Sequence, residues 1–109
     1  MNKSAEFPDE CLEALQEALD PEFFKAFCDP VRVSIVATLA ASETPLSVSD
    51  IESCCKIDFS GVSRHLKQLK TIGAVTAERR GRLVLYRLEK KSLVATLRSI
   101  ANAMEMCGT

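Results

Sequence analysis

Between Asp58 and Gly73 the chain carries Ser60, Ser63, Arg64, His65, Lys67 and Gln68, with no carboxylate after Asp58. Hydroxyl, guanidinium, imidazole, ammonium and amide groups are the ones that reach base edges and phosphate oxygens. Val62, Leu66, Leu69 and Ile72 recur among them at spacings of four, three and three, which predicts a helix with these four on its buried stripe. The polar set, together with Gly61, is then expected on the other faces. Asp58 is expected to cap the helix and Gly73 to end it. A second set lies close behind: Arg79, Arg80 and Arg82 surround Gly81. Three guanidiniums on one turn repel one another unless an anion lies nearby.

The elements that must hold these residues are readable on either side. Asp20-Pro21 and Asp29-Pro30 are helix-start signals, with Asp as cap and Pro in the first turn. They divide the first forty residues into three helices, with stripes of Leu12, Leu15 and Leu19, then Phe23, Phe24 and Phe27, then Val31, Ile35 and Leu39. Ser47 and Asp50, three apart, approximate a capping box for a short helix ending near Cys55. Lys56-Ile57 forms the turn into the long polar-faced helix. A short helix, a tight turn and a second helix with an exposed polar face is a helix-turn-helix signal. Val75–Arg79 and Leu83–Leu88 alternate as strands about Arg80-Gly81 and predict a hairpin, or wing, tipped by arginines. A last helix follows from Lys90 to Met106, with Leu93, Leu97, Ile100 and Met104 in line. The fold class expected is therefore mainly α (α+β): a single winged helix-turn-helix domain over residues 1–109, with residues 1–8 a disordered tail.

A net charge of −1 hides a division. Residues 1–55 hold three Lys/Arg against eleven Asp/Glu, a balance of −8. Residues 56–91 hold ten against three, a balance of +7. A polyanion is attracted to the second segment, because phosphate contacts depend on local charge. No apolar run is long enough to span a bilayer and no secretion signal opens the chain, so a cytoplasmic protein with no membrane partner is expected. One histidine and no paired carboxylates leave no acid–base pair or triad, so no enzyme is expected.

The five cysteines stand at 11, 28, 54, 55 and 107. An odd count without a secretion signal favours reduced thiols over a disulfide framework. Neighbours on a regular helix point about 100° apart, so Cys54 and Cys55 could clamp one ion only in a frayed last turn. A third sulfur, such as Cys28, would complete a trigonal thiolate site. Such a site suits soft or borderline ions: As(III), Sb(III), Hg(II), Cd(II) or Pb(II). Cys11 and Cys107 lie near the ends of the first and last helices, where they could meet each other or another protomer. Free cysteine often only packs, and a dithiol switch answering to an oxidant is the competing functional reading.

Taken together, Phe24-Lys25-Ala26-Phe27-Cys28-Asp29-Pro30-Val31-Arg32, Val62-Ser63-Arg64-His65-Leu66-Lys67-Gln68-Leu69, Gly73-Ala74-Val75 and the segment Arg79 to Leu88 resemble the ArsR/SmtB family of winged-helix repressors over residues 20–105. The resemblance implies a homodimer joined through the first and last helices, which binds a two-fold operator in double-stranded DNA without any cofactor and releases it when an inducer binds. Two inducer sites of the family are missing. The arsenite-sensing branch has two cysteines where Ser47 and Ser49 stand, and the zinc-sensing branch uses histidines on a final helix that here has none. Phe59 stands where the family's recognition helix usually carries Gln. The expectation is a dimeric repressor whose Ser60, Gly61, Ser63, Arg64, His65, Lys67, Gln68, Arg79, Arg80 and Arg82 meet DNA. Its cysteine thiols would take the signal by binding a soft metal or metalloid such as As(III). A thiol redox or persulfide sensor of the same fold, and an interaction module that has lost operator binding, are the alternatives.

Overall fold

The structure, a computed structural model, describes residues 9–55 and 59–108. The expected tail over residues 1–8, the Lys56-Ile57 turn and the Asp58 cap lie outside the described residues. The described chain runs α1 (Asp9–Ala18), α2 (Pro21–Phe24), a 3₁₀ turn (Lys25–Phe27), α3 (Pro30–Ala41), β1 (Leu46–Ser47), α4 (Val48–Cys55), α5 (Phe59–Thr71), β2 (Val75–Arg80), β3 (Leu83–Leu88) and α6 (Lys90–Met106). These group into two compact units, residues 22–90 and residues 9–21 with 91–108.

The larger unit is the winged helix. Helix α3 starts where Asp29, in an extended conformation, turns its carboxylate onto the Val31 and Arg32 amides with Pro30 in the first turn. Two of α3's apolar residues, Ile35 and Leu39, are buried, and the helix packs on both α4 and α5. The capping box of α4 is reciprocal. The Ser47 amide donates to Asp50 Oδ2 and the Asp50 amide to Ser47 Oγ, each at 3.1 Å. Ile51 from α4 and Val62, Leu66 and Leu69 from α5 are fully or almost fully buried, so three of the four residues of the stripe read from spacing enter the core, while Ile72, just past α5, is half-buried. Gly73 ends α5 at a φ of +80°, a backbone region that favours glycine.

The sheet has the order β1-β3-β2 and is antiparallel throughout. Register runs from Val75 opposite Leu88 to Arg80 opposite Leu83, so Gly81 and Arg82 form a two-residue loop. Gly81 has a φ of +62°, as the hairpin turns matched to strand twist demand at their first loop position. Strand β1 pairs Leu46 with Tyr86 and Ser47 with Leu85, and thereby anchors the entry to α4 on the wing.

The smaller unit holds α1 and α6. Cys11 and Cys107 are joined by a disulfide across a Cα separation of 5.8 Å, and the Cys107 sulfur also approaches the Cys11 carbonyl at 3.3 Å. Of the two partners open to them from sequence, each other or another protomer, Cys11 and Cys107 are joined to each other. The stripe expected on α6 divides: Leu93 and Ile100 are buried, whereas Leu97 is 48 % and Met104 53 % exposed. Leu12 beside Cys11 and Met106 beside Cys107 are exposed as well.

Candidate nucleic-acid interface

Helix α5 divides cleanly. Its buried line is Val62, Leu66 and Leu69; Ser60, Ser63, Arg64, Lys67 and Gln68 are exposed. Gly61 is half-buried, and a Cβ built on it would meet nothing within 4 Å, so a partner's backbone has room to approach there. The N-terminal part of such a helix is the part that enters a major groove, with base edges met by the first exposed turns. Ser60, Ser63 and Arg64 occupy those turns.

His65 differs from the sequence reading. Composition places it with the exposed polar set, but the structure buries it to 8 % exposure. Position 65 is three residues past Val62 and four before Leu69, which puts it inside the apolar stripe. Its ring reaches across to the start of α3: Nδ1 is 3.2 Å from Arg32 Nη1, and Nε2 is 3.9 Å from Asp29 Oδ1. As placed, His65 supports the helix from behind. The Asp29 carboxyl, in turn, is held below the usual carboxylate pKa, first by the Val31 amide and then by the Arg32 amide and nearby positive charge, against partial desolvation.

Gln68 is exposed but already engaged: its Oε1 accepts from Arg32 Nη1 at 2.5 Å. Arg32 also donates through Nε to the Lys25 carbonyl at 3.0 Å and through Nη2 to the Cys28 sulfur at 3.4 Å. Sequence reading missed Arg32, although it noted the Asp29-Pro30-Val31-Arg32 segment. Nothing in local spacing announces a contact with residues 33 and 36 positions away.

At the wing tip Arg79, Arg80 and Arg82 are exposed. Arg80 is paired with Glu78 at 2.9 Å, a surface contact of modest worth; among the described residues Arg79 and Arg82 form no ion pair. Arg79 and Arg82 are thus the freer cations. Replacing both by Ala is expected to lower the slope of log K against log salt by about 1 for each phosphate the tip no longer neutralises. Binding isotherms over a salt series check this, and an unchanged slope removes the tip from the DNA interface.

The cysteines do not gather into one site. Cys11 and Cys107 are bonded to each other, which removes both as thiolate ligands in this state. Cys28 is exposed beside Arg32, Cys54 is exposed, and Cys55 is half-buried with its sulfur 3.5 Å from Thr38 Oγ1. Among the described residues no group of three or more His, Cys, Asp or Glu is placed to hold a metal ion. Where the arsenite-sensing branch has a thiol, Ser47 instead spends its hydroxyl on the α4 cap.

A basic, hydrogen-bonding helix face presented by a short preceding helix, with an arginine-tipped hairpin after it, defines the winged helix-turn-helix class. Comparisons with known proteins agree. A helix-turn-helix domain family matches residues 27–77. The transcriptional repressor SmtB of Mycobacterium tuberculosis is 39 % identical over 99 residues, covering 90 % of this chain and 68 % of that protein. Among solved structures, the transcriptional repressor BigR from Xylella fastidiosa aligns with a TM-score of 0.66 at 25 % identity, covering 94 % of this chain and 99 % of that one. The homodimeric winged helix-turn-helix domain of Mb0332 from Mycobacterium bovis aligns with a TM-score of 0.63 at 24 % identity, covering 84 % of each chain. The chain belongs to the ArsR/SmtB family of winged helix-turn-helix transcriptional repressors. These relatives and neighbours are regulators of transcription, not enzymes. None of the helices described is long and apolar enough to cross a membrane.

Proposed function

We propose that the chain acts in the cytoplasm as a homodimeric repressor, seating α5 of each protomer in a major groove of a two-fold operator and releasing it when Cys11 and Cys107 are oxidised. The observation that carries the DNA-binding part is the composition of the exposed α5 face, from Ser60 through Gln68, which holds no acidic side chain. The recognition helices of the dimer would lie about one DNA turn, roughly 34 Å, apart. Leu12, Leu97, Met104 and Met106 offer the apolar surface a second copy would cover, as the homodimeric state of Mb0332 also suggests.

The signal is assigned to the one pair of sulfurs that meet. With a peroxide as oxidant, one thiolate attacks the O–O bond, becomes a sulfenic acid and expels hydroxide. The second thiol then attacks that sulfur, the S–S bond forms, and water leaves. Two electrons pass from the two thiols to the peroxide. In a reducing compartment the dithiol is the resting, DNA-bound form. The new cystine lies beside Leu12 and Met106, on the surface through which two copies would pair.

The test is operator release, using the DNA upstream of the protein's own coding region. Hydrogen peroxide is expected to release the wild type and to leave a Cys11→Ser/Cys107→Ser variant bound. As(III), Hg(II) and Cd(II) are titrated in parallel, with a Cys54→Ser/Cys55→Ser variant alongside. Release by an ion that vanishes in the second variant overturns the redox assignment in favour of a soft-ion inducer. Failure of the reduced wild type to prefer any sequence over bulk DNA would leave an interaction module instead.

A further inference from the structure

The guanidinium of Arg32 spends four of its five N–H groups on one cluster. Nε donates to the Lys25 carbonyl, Nη2 to the Cys28 sulfur, and the two hydrogens of Nη1 to His65 Nδ1 and Gln68 Oε1. Two of those acceptors lie before α3 and two lie on α5. Arginine has donors only. Whatever faces it must therefore be an acceptor, and this settles two ambiguities. His65 must offer a lone pair at Nδ1, so its proton sits on Nε2, the atom turned towards Asp29. Gln68 must turn its carbonyl inwards, so its amino group faces out.

We infer that Arg32 is a positioning residue of the DNA-binding surface: it holds His65 in one tautomer and Gln68 in one amide orientation, so that Gln68 turns its amino donors, rather than its carbonyl, towards DNA. The inference rests on the reading of α5 as the helix that meets DNA. Its chemical content is a restriction on what α5 can read. A free glutamine pairs with adenine through both amide atoms, accepting from N6 and donating to N7. With Oε1 already accepting from Arg32, one lone pair is left to it and the amide plane is set by Arg32 rather than by the base, so that bidentate contact is disfavoured. Its outward amino group then favours acceptors: phosphate oxygens, N7 of either purine, guanine O6 or thymine O4. Lysine cannot replace Arg32, because an ammonium lacks the planar fork that reaches both side chains.

Arg32 borders a half-open cavity of about 240 Å³ shared with Glu22, Lys25, Gln68, Thr71 and Ile72. Shortening its side chain therefore widens an existing opening and leaves the packed core of Ile35, Val62, Leu66 and Leu69 alone.

His65 is the only histidine in the chain, so one imidazole spectrum reports the anchor. Long-range ¹H–¹⁵N spectra of wild-type protein at mildly alkaline pH are expected to show Nε2–H with Nδ1 unprotonated. Arg32→Met should give a mixture of tautomers. In parallel, wild type and variants select sites from a random duplex library, and operator-over-bulk preference is measured. Arg32→Met is expected to lose about tenfold in that preference, the scale of one misplaced base contact. Gln68→Glu is the second variant: its carboxylate still accepts from Arg32, so the His65 spectrum should stay wild type, while the absence of amino donors weakens binding. A wild-type His65 spectrum in Arg32→Met overturns the inference, as does unchanged preference despite an altered spectrum. A Gln68→Glu protein that binds as well as wild type overturns it too, and still judges the proposal should Arg32→Met not fold. If wild type selects no sequence, the operator-binding reading fails, and the spectra still decide whether Arg32 sets the tautomer.

Discussion

Replacing Arg64 by Ala is expected to weaken operator binding more than any other single change on the α5 face. Arg64 is exposed in the second turn of the helix and has no ion pair among the described residues to give up. Arginine at such a position is the commonest bidentate reader of guanine, and one such pair is worth about 1–3 kcal/mol of discrimination. A two-fold complex counts the substitution twice, so the expected loss is roughly 2–6 kcal/mol, on the order of 30-fold to 10⁴-fold in Kd. Binding to bulk DNA should fall far less, because a neutral Ala removes at most one phosphate contact per protomer. Fluorescence anisotropy at fixed salt, with the operator and with bulk competitor, gives both numbers. A loss equal on the two DNAs would make Arg64 a backbone contact. Operator affinity within about threefold of wild type would take it out of the interface altogether.

The face that carries Arg64 was legible because the physics setting it is local. Val62, Leu66 and Leu69 fix which side of α5 is buried, and helical periodicity then fixes what is left outside. The Asp29-Pro30 start, the Ser47/Asp50 cap and the Gly81 turn were legible for the same reason, since each is a contest among atoms a few residues apart. His65 is misplaced from sequence because its chemistry overrides its geometry. Its spacing from Val62 and Leu69 marks the buried stripe, but an imidazole reads as a surface group. Burial is tolerable only because Arg32 and Asp29 meet the ring, and both lie more than thirty residues upstream. Strand β1 escaped notice because two residues carry no period; it exists through pairing with Tyr86 and Leu85. The same distance hid the hold of Arg32 on Gln68. Charge along the chain said where a polyanion would settle, but not which amide atom would face it.

The largest effect on stability is expected at the crosslink of the chain ends. Cys11 and Cys107 are separated by 96 positions, so their bond closes nearly the whole described chain into one ring. A ring of that size removes loop entropy from the unfolded chain worth about 4–5 kcal/mol on the chain-entropy account. Within the smaller unit the bond joins the start of α1 to the end of α6. Urea unfolding of oxidised protein is therefore expected at a clearly higher midpoint than unfolding in dithiothreitol. The Cys11→Ser/Cys107→Ser protein should unfold where reduced wild type does and ignore the reductant. If α1 frays on reduction, loss of helix signal should precede unfolding of the winged helix, which has its own core of Ile35, Ile51, Leu66 and Leu69. A midpoint indifferent to both reductant and the double substitution would mean that the sulfurs, though within reach, do not bond in solution. The redox assignment would then fall with the crosslink, while the α5 face and the wing would keep their reading, since neither depends on the chain ends.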